Sequence, residues 1–362
     1  MSMPRIPGYE VSDREELNAL RQRVANLFGS RTIKFPGAQP VSFAQKHLEE
    51  LKNENYFVSE KADGIRCLMY THVNSELDGA SETFLIDRRN HFFYLQMGFP
   101  LPGQPHRDHF DTVLDGELIL DTEPDGRETL RFLLFDCVII DGKSLLERPY
   151  TSRLGYLKEH ILKPYQQKLQ KDPQYARGQC FRMDLKELQL SYGLAKVFEE
   201  IPKLKHGNDG IIFTSSVAPY TMGTCNKMQV HRCFLEGLKW KAKEDNTVDF
   251  KVTVEGSPRR YRIWLSGDRH SDVDKGILQL DPETEKKWGS IQVEGRIIEC
   301  NWNPNWPNKW QFVRFRDDKN TANFVGVYDN IMETIENGVE KETVSLGFLT
   351  LHGFVGYEEM DE

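Results

Sequence analysis

Hydrophobic positions near the start of the chain recur at helical spacing. Leu17, Leu20, Val24 and Leu27 step by three or four residues and so share one face of an amphipathic helix, with Ser12-Asp-Arg-Glu15 ahead of them at capping-box spacing. Ser42-Phe-Ala-Gln45 repeats the device before a short helix over 47–51. From Tyr56 to about Thr122 the texture changes to β-branched and aromatic runs broken by Gly, Pro and Asn turns, which predicts strands over 56–58, 66–73, 83–87, 92–96 and 112–120. Residues 131–140 make a further β-rich run. Leu154, Leu157, Ile161, Tyr165 and Leu169 then mark one face of a long helix over 151–171. Strands over 180–185, 210–214 and 234–240 bracket a helix near 194–201.

Beyond Lys241 the strands become short and evenly spaced, over 248–254, 261–265, 291–300 and 310–315, a pattern that suits a small β-barrel. Val327, Ile331 and Ile335 place a closing helix over 324–336. The expectation is an α+β chain with antiparallel sheets, divided into residues 1–242, a barrel over 243–322, and a helix and acidic tail over 323–362.

Composition limits what such a chain can do. With 362 residues, 39% hydrophobic and 28% charged, it has room for two cores. No apolar run approaches the ~18 residues of a membrane span, and Met-Ser-Met-Pro-Arg lacks a signal core, so a secreted or membrane protein is not expected. The six cysteines, Cys67, Cys137, Cys180, Cys225, Cys233 and Cys300, form no Cys-x-x-Cys pair and read as reduced thiols; Cys225, His231 and Cys233 lack a fourth zinc ligand. A net charge of −8 argues against gripping long nucleic acid by general electrostatics, so a polyanion has to be held at a local basic cleft.

Chemistry concentrates around Tyr-Phe-Val-Ser-Glu-Lys-Ala-Asp-Gly-Ile-Arg at 56–66. Lys61 sits beside an Asp63-Gly64 turn between two apolar runs, and partial desolvation with nearby cations favours the neutral amine that a covalent nucleophile needs. An exposed β-turn would also contain these residue types. Leu85-Ile-Asp-Arg-Arg-Asn90 offers Arg88 and Arg89 as donors to phosphate oxygens, and Val113-Leu-Asp-Gly-Glu-Leu118 offers two carboxylates for ribose hydroxyls or a hydrated metal. In Arg131-Phe-Leu-Leu-Phe-Asp136, strand alternation puts Phe132, Leu134 and Asp136 on one face, which makes Phe132 the candidate to stack a purine. Asp209-Gly-Ile-Ile-Phe-Thr214 presents a carboxylate for a metal or for the lysine. In Leu238-Lys-Trp-Lys241, period two sends Lys239 and Lys241 to one face, suited to an α-phosphate. Arg314-Phe-Arg-Asp-Asp-Lys319 supplies Arg316 and Lys319 as clamps for pyrophosphate. Each of these also fits a solvated turn or edge strand.

In this order the segments resemble the motif series of GTP:RNA guanylyltransferases, the fungal-type mRNA capping enzymes of the covalent nucleotidyltransferase superfamily; Asn246-Thr-Val-Asp-Phe250 and Pro36-Gly-Ala-Gln-Pro-Val-Ser-Phe43 add to the likeness. The resemblance implies a nucleotidyltransferase domain, of the ATP-grasp-like ligase and capping kind, with an OB-fold lid. It implies Lys61 as the guanylylated residue, Arg66 and Glu117 as ribose contacts, Arg88 as a phosphate contact and Phe132 as the stacker. Asp209, with Glu117, would hold Mg²⁺ or Mn²⁺; Lys239 and Lys241 would hold the α-phosphate of GTP, and Arg316, Asp318 and Lys319 would act from the lid. Arg182 and Lys186 are candidates to read guanine O6. The implied reaction passes GMP from GTP through a lysyl intermediate to the 5′-diphosphate end of RNA, in the nucleus. No His-Cys-x5-Arg signature occurs, so a separate RNA 5′-triphosphatase is expected. The phosphorylated carboxy-terminal repeats of RNA polymerase II are a further expected partner, with Arg148, Arg153 and Tyr156 as their site because Arg153 and Tyr156 stand at i, i+3. An ATP-dependent polynucleotide ligase and a non-catalytic OB-fold RNA adaptor are the alternatives.

Overall fold

In the computed structural model, which describes residues 3–43, 47–48, 51, 54–74, 80–224, 237–268, 271–317 and 319–339, helix α1 (Arg14–Leu27) starts one residue later than the capping-box spacing predicts. Asp13, not Ser12, is the cap: its carboxylate accepts from the amides of Glu15 and Glu16 at 3.0 and 2.9 Å, filling two of the orphan donors of the first turn. Leu20 and Val24 are buried, as their spacing requires.

Two compact units divide the chain, one built on residues 1–41 and 49–239, the other on 42–48 and 240–347. The first unit holds two sheets. The larger runs in the order Tyr9–Glu10, Phe92–Leu95, Ala80–Asp87, β2 (Ile65–Asn74), β3 (Thr112–Thr122), β4 (Glu128–Ile140), Lys143–Ser144; it is antiparallel except where Arg182–Leu185 joins β4. The smaller runs Gln189–Leu190, β1 (Tyr56–Ala62), β5 (Asn208–Ser215) and on to Gly237–Trp240. The strand expected to stop at Val58 continues to Ala62, and Asp63-Gly64 then carries the chain from the smaller sheet into the larger.

The larger sheet is covered on both faces. One face packs Met69, Leu118, Phe132 and Leu134 against Leu154, Leu157, Ile161 and Tyr165, which come from α2 (Tyr150–Tyr156) and its continuation through a π-helical stretch, Leu157–Leu162, into Lys163–Lys171. The other packs Leu68, Tyr70, Phe84 and Ile86 against Leu20, Val24 and Phe28. Burial on both sides explains why these strands read as continuous apolar runs rather than as strict alternation.

In the second unit five antiparallel strands run in the order Asp272–Leu278, Arg260–Ser266, β6 (Thr247–Glu255), Ile297–Trp302, Trp310–Phe315, and among the described residues they do not close into a barrel. Trp288 fills their core, with ring centroids 4.9 Å from both Tyr261 and Phe312. The closing helix, Val325–Asn337, packs Tyr328, Ile331 and Ile335 into the same core. The sequence pattern missed Asp272–Leu278, a half-exposed edge strand whose charges hide its periodicity, and the helix Pro282–Gly289 capped by Asp281. The Cys225, His231 and Cys233 group and the acidic tail lie outside the described residues, as does Gln45 of the second capping box.

Arg153 requires a correction. It is 0% exposed, with Nε and Nη2 both 2.9 Å from the Asp136 carboxylate and Nη1 donating to the carbonyls of Arg148 and Ala218 at 2.7 and 2.9 Å. A guanidinium enclosed in this way cannot meet a docked phosphopeptide, whatever its i, i+3 relation to Tyr156, which itself stacks on His160 at 5.2 Å. Arg153→Ala leaves Asp136 buried without its counter-charge and is expected to destabilise the first unit by about 3–5 kcal/mol. Arg148→Ala, at an exposed position, should stay within about 0.5 kcal/mol. Denaturant unfolding of the two variants checks the contrast, and similar losses would contradict it.

Candidate active site

The Asp63-Gly64 crossing puts Lys61, near the end of β1, and Arg66, near the start of β2, on two different sheets five residues apart. A Cβ added to Gly64 would stand 2.3 Å from the Leu118 carbonyl oxygen, so the crossing fits against β3 only because residue 64 has no side chain. Asp63 N–H donates to Gly207 O at 2.8 Å, which ties the crossing to the approach of β5. A cleft opens between the sheets. The smaller sheet contributes Ser59, Lys61, Ala62, Ile212, Thr214 and Gly237; the larger contributes Arg66, Asp115, Glu117, Phe135 and Asp136, with Arg88, Lys186 and Ala38–Pro40 at its margins.

Lys61 Nζ is ion-paired to Asp209, each side chain about a quarter exposed. A bulge aims the carboxylate. The β1–β5 register runs Asn208↔Ala62 and then Ile211↔Glu60, and Gly210 takes φ +137°, which an L side chain rarely adopts. Asn208 holds this bend, its Nδ2 donating to Lys61 O at 3.0 Å and to Gly210 O at 2.9 Å while its Oδ1 accepts from Gly210 N–H at 3.2 Å. Asn208 attracted no notice in the sequence; an amide before Asp-Gly is its only mark.

Arg66 is fixed before any ligand arrives. Its Nε and Nη2 bond Asp115 at 2.9 and 2.5 Å, Asp115 accepts from the Tyr220 hydroxyl at 2.6 Å, and the guanidinium also donates to Ala38 O. Burial would lower the Arg66 pKa, but Asp115 outweighs it and holds the charge firmly in place. Of the two carboxylates around Gly116, Asp115 is therefore committed to Arg66, and Glu117 faces the cleft. Burial raises the Glu117 pKa against the opposing pull of Lys186, Arg88, Arg66 and Lys61.

Phe132 is not in the cleft. It is 0% exposed and packs on Phe181 at 5.5 Å in the core, whereas Phe135 lines the cleft with the Arg66 guanidinium 5.6 Å from its ring centroid. The error has a physical origin. Asp115 pairs with Asp136 and Gly116 with Leu134, so Phe135 is a bulged residue, and the parity that tied Phe132 to the face of Asp136 breaks there. Tyr150 holds the bulge by donating to Phe135 O at 2.9 Å.

Lys186 lines the cleft and is buried, whereas Arg182 points to solvent on its strand. Lys186 Nζ lies 3.1 Å from Glu60, and Glu60 lies 3.6 Å from His206, whose Nδ1 is 2.8 Å from Asp121. Burial would raise the Glu60 pKa, but Lys186 and His206 bring it down to about 2. Lys239 is half-buried on the last strand of the first unit; Lys241 follows beyond the strand end at Trp240 and belongs to the second unit, so the strand period does not place them on one face.

In the second unit Arg316 and Lys319 converge on Asp249 of β6. Arg316 Nη1 lies 3.1 and 3.2 Å from the two carboxylate oxygens, and Lys319 Nζ is ion-paired to one of them. Asn323 secures Asp249 on both sides of its backbone, at 2.7 and 2.8 Å. Asp318 lies outside the described residues. Among the described residues no three His, Cys, Asp or Glu side chains form a metal cluster.

Known proteins resemble the chain over both units. The family model for the mRNA capping enzyme catalytic domain matches residues 1–243, and that for the mRNA capping enzyme C-terminal domain matches residues 245–345. The mRNA-capping enzyme subunit alpha of Neurospora crassa is 38% identical over 373 residues, covering 93% of this chain and 89% of that protein. The protein of the same name from Schizosaccharomyces pombe is 36% identical over 359 residues, covering 93% and 85%. Among solved structures, a mycobacterial DNA ligase D complexed with ATP and MES covers 78% of this chain and 95% of its own at 14% identity and a TM-score of 0.41.

His206 makes the site's electrostatics measurable. Burial would lower its pKa, but Glu60 and Asp121 raise it overall. A histidine whose pKa rises on folding contributes stability that is fully present below its unfolded value near 6.5 and is lost as pH climbs through the folded value. The stability margin of wild type over His206→Gln should therefore be larger at about pH 6 than at about pH 8.5 in denaturant titrations. A margin independent of pH would mean that the imidazole stays neutral.

Proposed function

The chain belongs to the mRNA capping enzyme family and is a guanylyltransferase with GTP as its substrate, and we propose that the cleft between its two sheets performs the transfer with Lys61 as the nucleophile. The Lys61–Asp209 ion pair carries this reading, because it fixes a primary amine at the floor of a cleft lined by cations and one free-facing carboxylate. Lys61 gives up its ammonium proton, for which the Asp209 carboxylate is the adjacent acceptor, and the amine forms a P–N bond to the α-phosphorus of GTP as the P–O bond to pyrophosphate breaks. An oxygen of the RNA 5′-diphosphate then takes the GMP and returns the amine.

The lining residues divide the work. Phe135 and Ile212, from opposite sheets, provide two faces for a purine, and Lys186, held by Glu60, is placed to donate to the guanine carbonyl. Glu117 accepts from ribose hydroxyls, with Arg66 beside it. Arg88 neutralises phosphate charge in the cleft, and the lysines at 239 and 241, which are not among its lining residues, are proposed for the same duty. Asp209 is the carboxylate that fits Mg²⁺ or Mn²⁺, since such ions bind through one or two carboxylates plus substrate phosphates; when bound, the ion supplies charge neutralisation at the α-phosphate. Glu117 fits that duty poorly, with four cations around it. For Arg316 and Lys319 to clamp pyrophosphate, they must exchange Asp249 for the phosphate oxygens. We also propose a separate RNA 5′-triphosphatase and the phosphorylated polymerase repeats as partners, and the nucleus as the compartment.

Incubation with labelled GTP or ATP followed by a denaturing gel tests the reaction. Covalent label is expected from GTP, none from ATP, and none from GTP on Lys61→Arg, whose guanidinium keeps its proton near neutral pH. Label from ATP would indicate a ligase, and label persisting on Lys61→Arg would move the nucleophile elsewhere. The two phenylalanines should separate cleanly. Phe135→Ala is expected to raise the KM for GTP roughly 5- to 150-fold, the range for loss of one stacked base, with little change in stability. Phe132→Ala should cost about 3–5 kcal/mol of stability. The opposite assignment of these effects would restore Phe132 as the stacker.

A further inference from the structure

We propose that a basic rim beside the cleft, carrying Arg31, Lys34 and Arg89 outward from Arg88, holds the backbone phosphates of the acceptor RNA. This rests on the reading of the cleft given above and adds the path by which the second substrate reaches it.

The chain has 55 acidic residues against 47 Lys and Arg, and many of its exposed cations are matched to a carboxylate. Lys163, Lys203, Lys205 and Lys287 pair with Glu159, Glu200, Glu123 and Glu283 at 2.6–2.8 Å. Arg31, Lys34, Arg88 and Arg89 are all exposed, and among the described residues none of them makes an ion pair. Asp87, the carboxylate nearest in sequence, is turned inward: its Oδ1 accepts from the backbone amides of Arg89 and His91 at 2.9 and 2.8 Å, and its Oδ2 lies 3.5 Å from the His91 ring.

The four cations belong to one ledge because Asn90 joins the segments that carry them. Asn90 sits in the left-handed region at φ +64°, and its Nδ2 donates to Ile33 O at 2.6 Å, which fixes the loop of Arg31 and Lys34 to the turn of Arg88 and Arg89. Its carbonyl accepts from Arg21 Nε and Nη2 at 3.1 and 2.8 Å, so α1 buttresses the same point. Both segments run into the cleft. Arg88 lines it directly, and the loop continues through Phe35, packed on the core, to Ala38–Pro40 in the lining.

Exposed, unmatched cations on a rigid ledge suit a chain of phosphates. Contacts of this kind position a nucleic acid without reading its sequence, which is what an enzyme acting on the 5′ ends of diverse transcripts requires. They also reconcile the acidic net charge with an RNA substrate, since the local field and not the total decides where a polyanion lies.

The test compares wild type with the Arg31→Ala/Lys34→Ala variant of the full chain, leaving Arg88 and Arg89 in place. Covalent GMP attachment from GTP should be unchanged, which also reports that the variant is folded. The KM for a 5′-diphosphate RNA of about twenty nucleotides should rise on the order of 5- to 20-fold, and its salt slope should fall by about 1.4, as two lost phosphate contacts predict for a single strand. A 5′-diphosphate dinucleotide, with few backbone phosphates to offer the rim, should lose much less. Unchanged KM for the long RNA, or equal loss with both acceptors, would overturn the proposal. Direct binding of the same RNA, measured without GTP, separates the two readings: if wild type takes no label from GTP yet the variant still loses RNA affinity, the rim stands and the guanylyl-transfer site falls. Retained RNA affinity with lost binding of a serine-phosphorylated peptide would reassign the rim to a protein partner.

Discussion

Two residues carry the chain from one sheet of the first unit to the other, and the cleft depends on how little room they occupy. Gly64 lies so close to the Leu118 carbonyl that no Cβ fits between them, and Asp63 is bonded to Gly207. The crossing is thus pinned by both sheets at once. The Lys61 amine on β1 and the Arg66 guanidinium on β2 face one space although only four residues separate them in sequence, and neither rests on a loop. Effective catalysis demands placement within fractions of an ångström, and a short crossing between two hydrogen-bonded sheets provides it at the backbone level.

Charge is then fixed onto that frame by pairs. Arg66 with Asp115 and Tyr220, Arg153 with Asp136, and Lys186 with Glu60 each bury an ionic group whose partner comes from a different element. Such pairs add little net stability, because desolvation offsets most of the attraction, but each leaves its members a single good orientation. Asp249 does the same for Arg316 and Lys319 in the second unit. Arg153 apart, which is enclosed, the recurring arrangement is a cation whose direction is set by a carboxylate from another element.

Much of this was legible in the sequence. Helical spacing gave α1 and the long helix after Tyr150, and the apolar runs gave the strands of the larger sheet. The ordered motifs brought Lys61, Arg66, Arg88, Glu117 and Asp209 to one place, because a strand end followed by a turn is a local pattern. What escaped notice was non-local. Nothing near Arg153 in sequence announces Asp136 as its partner, so an i, i+3 spacing was read as a surface when it marks a buried clamp. Tyr220 and Glu60 likewise acquire their roles only from residues far along the chain. The misplacement of Phe132 has a different source, since strand alternation is exact only while the ladder is unbroken, and one unpaired residue between Leu134 and Asp136 reverses it.

That bulge also sets how β4 can change. A substitution there alters one side chain and leaves its neighbours on their faces. A deletion of one residue just before it, such as Leu133, would be absorbed by drawing the ladder straight: Asp136 would keep its pairing with Asp115, but Leu134 and Phe135 would each move one place along the strand, turning the Phe135 ring from the cleft into the core. Residue identity and strand length are therefore constrained separately in β4: the first has some latitude at most positions, and the second has almost none.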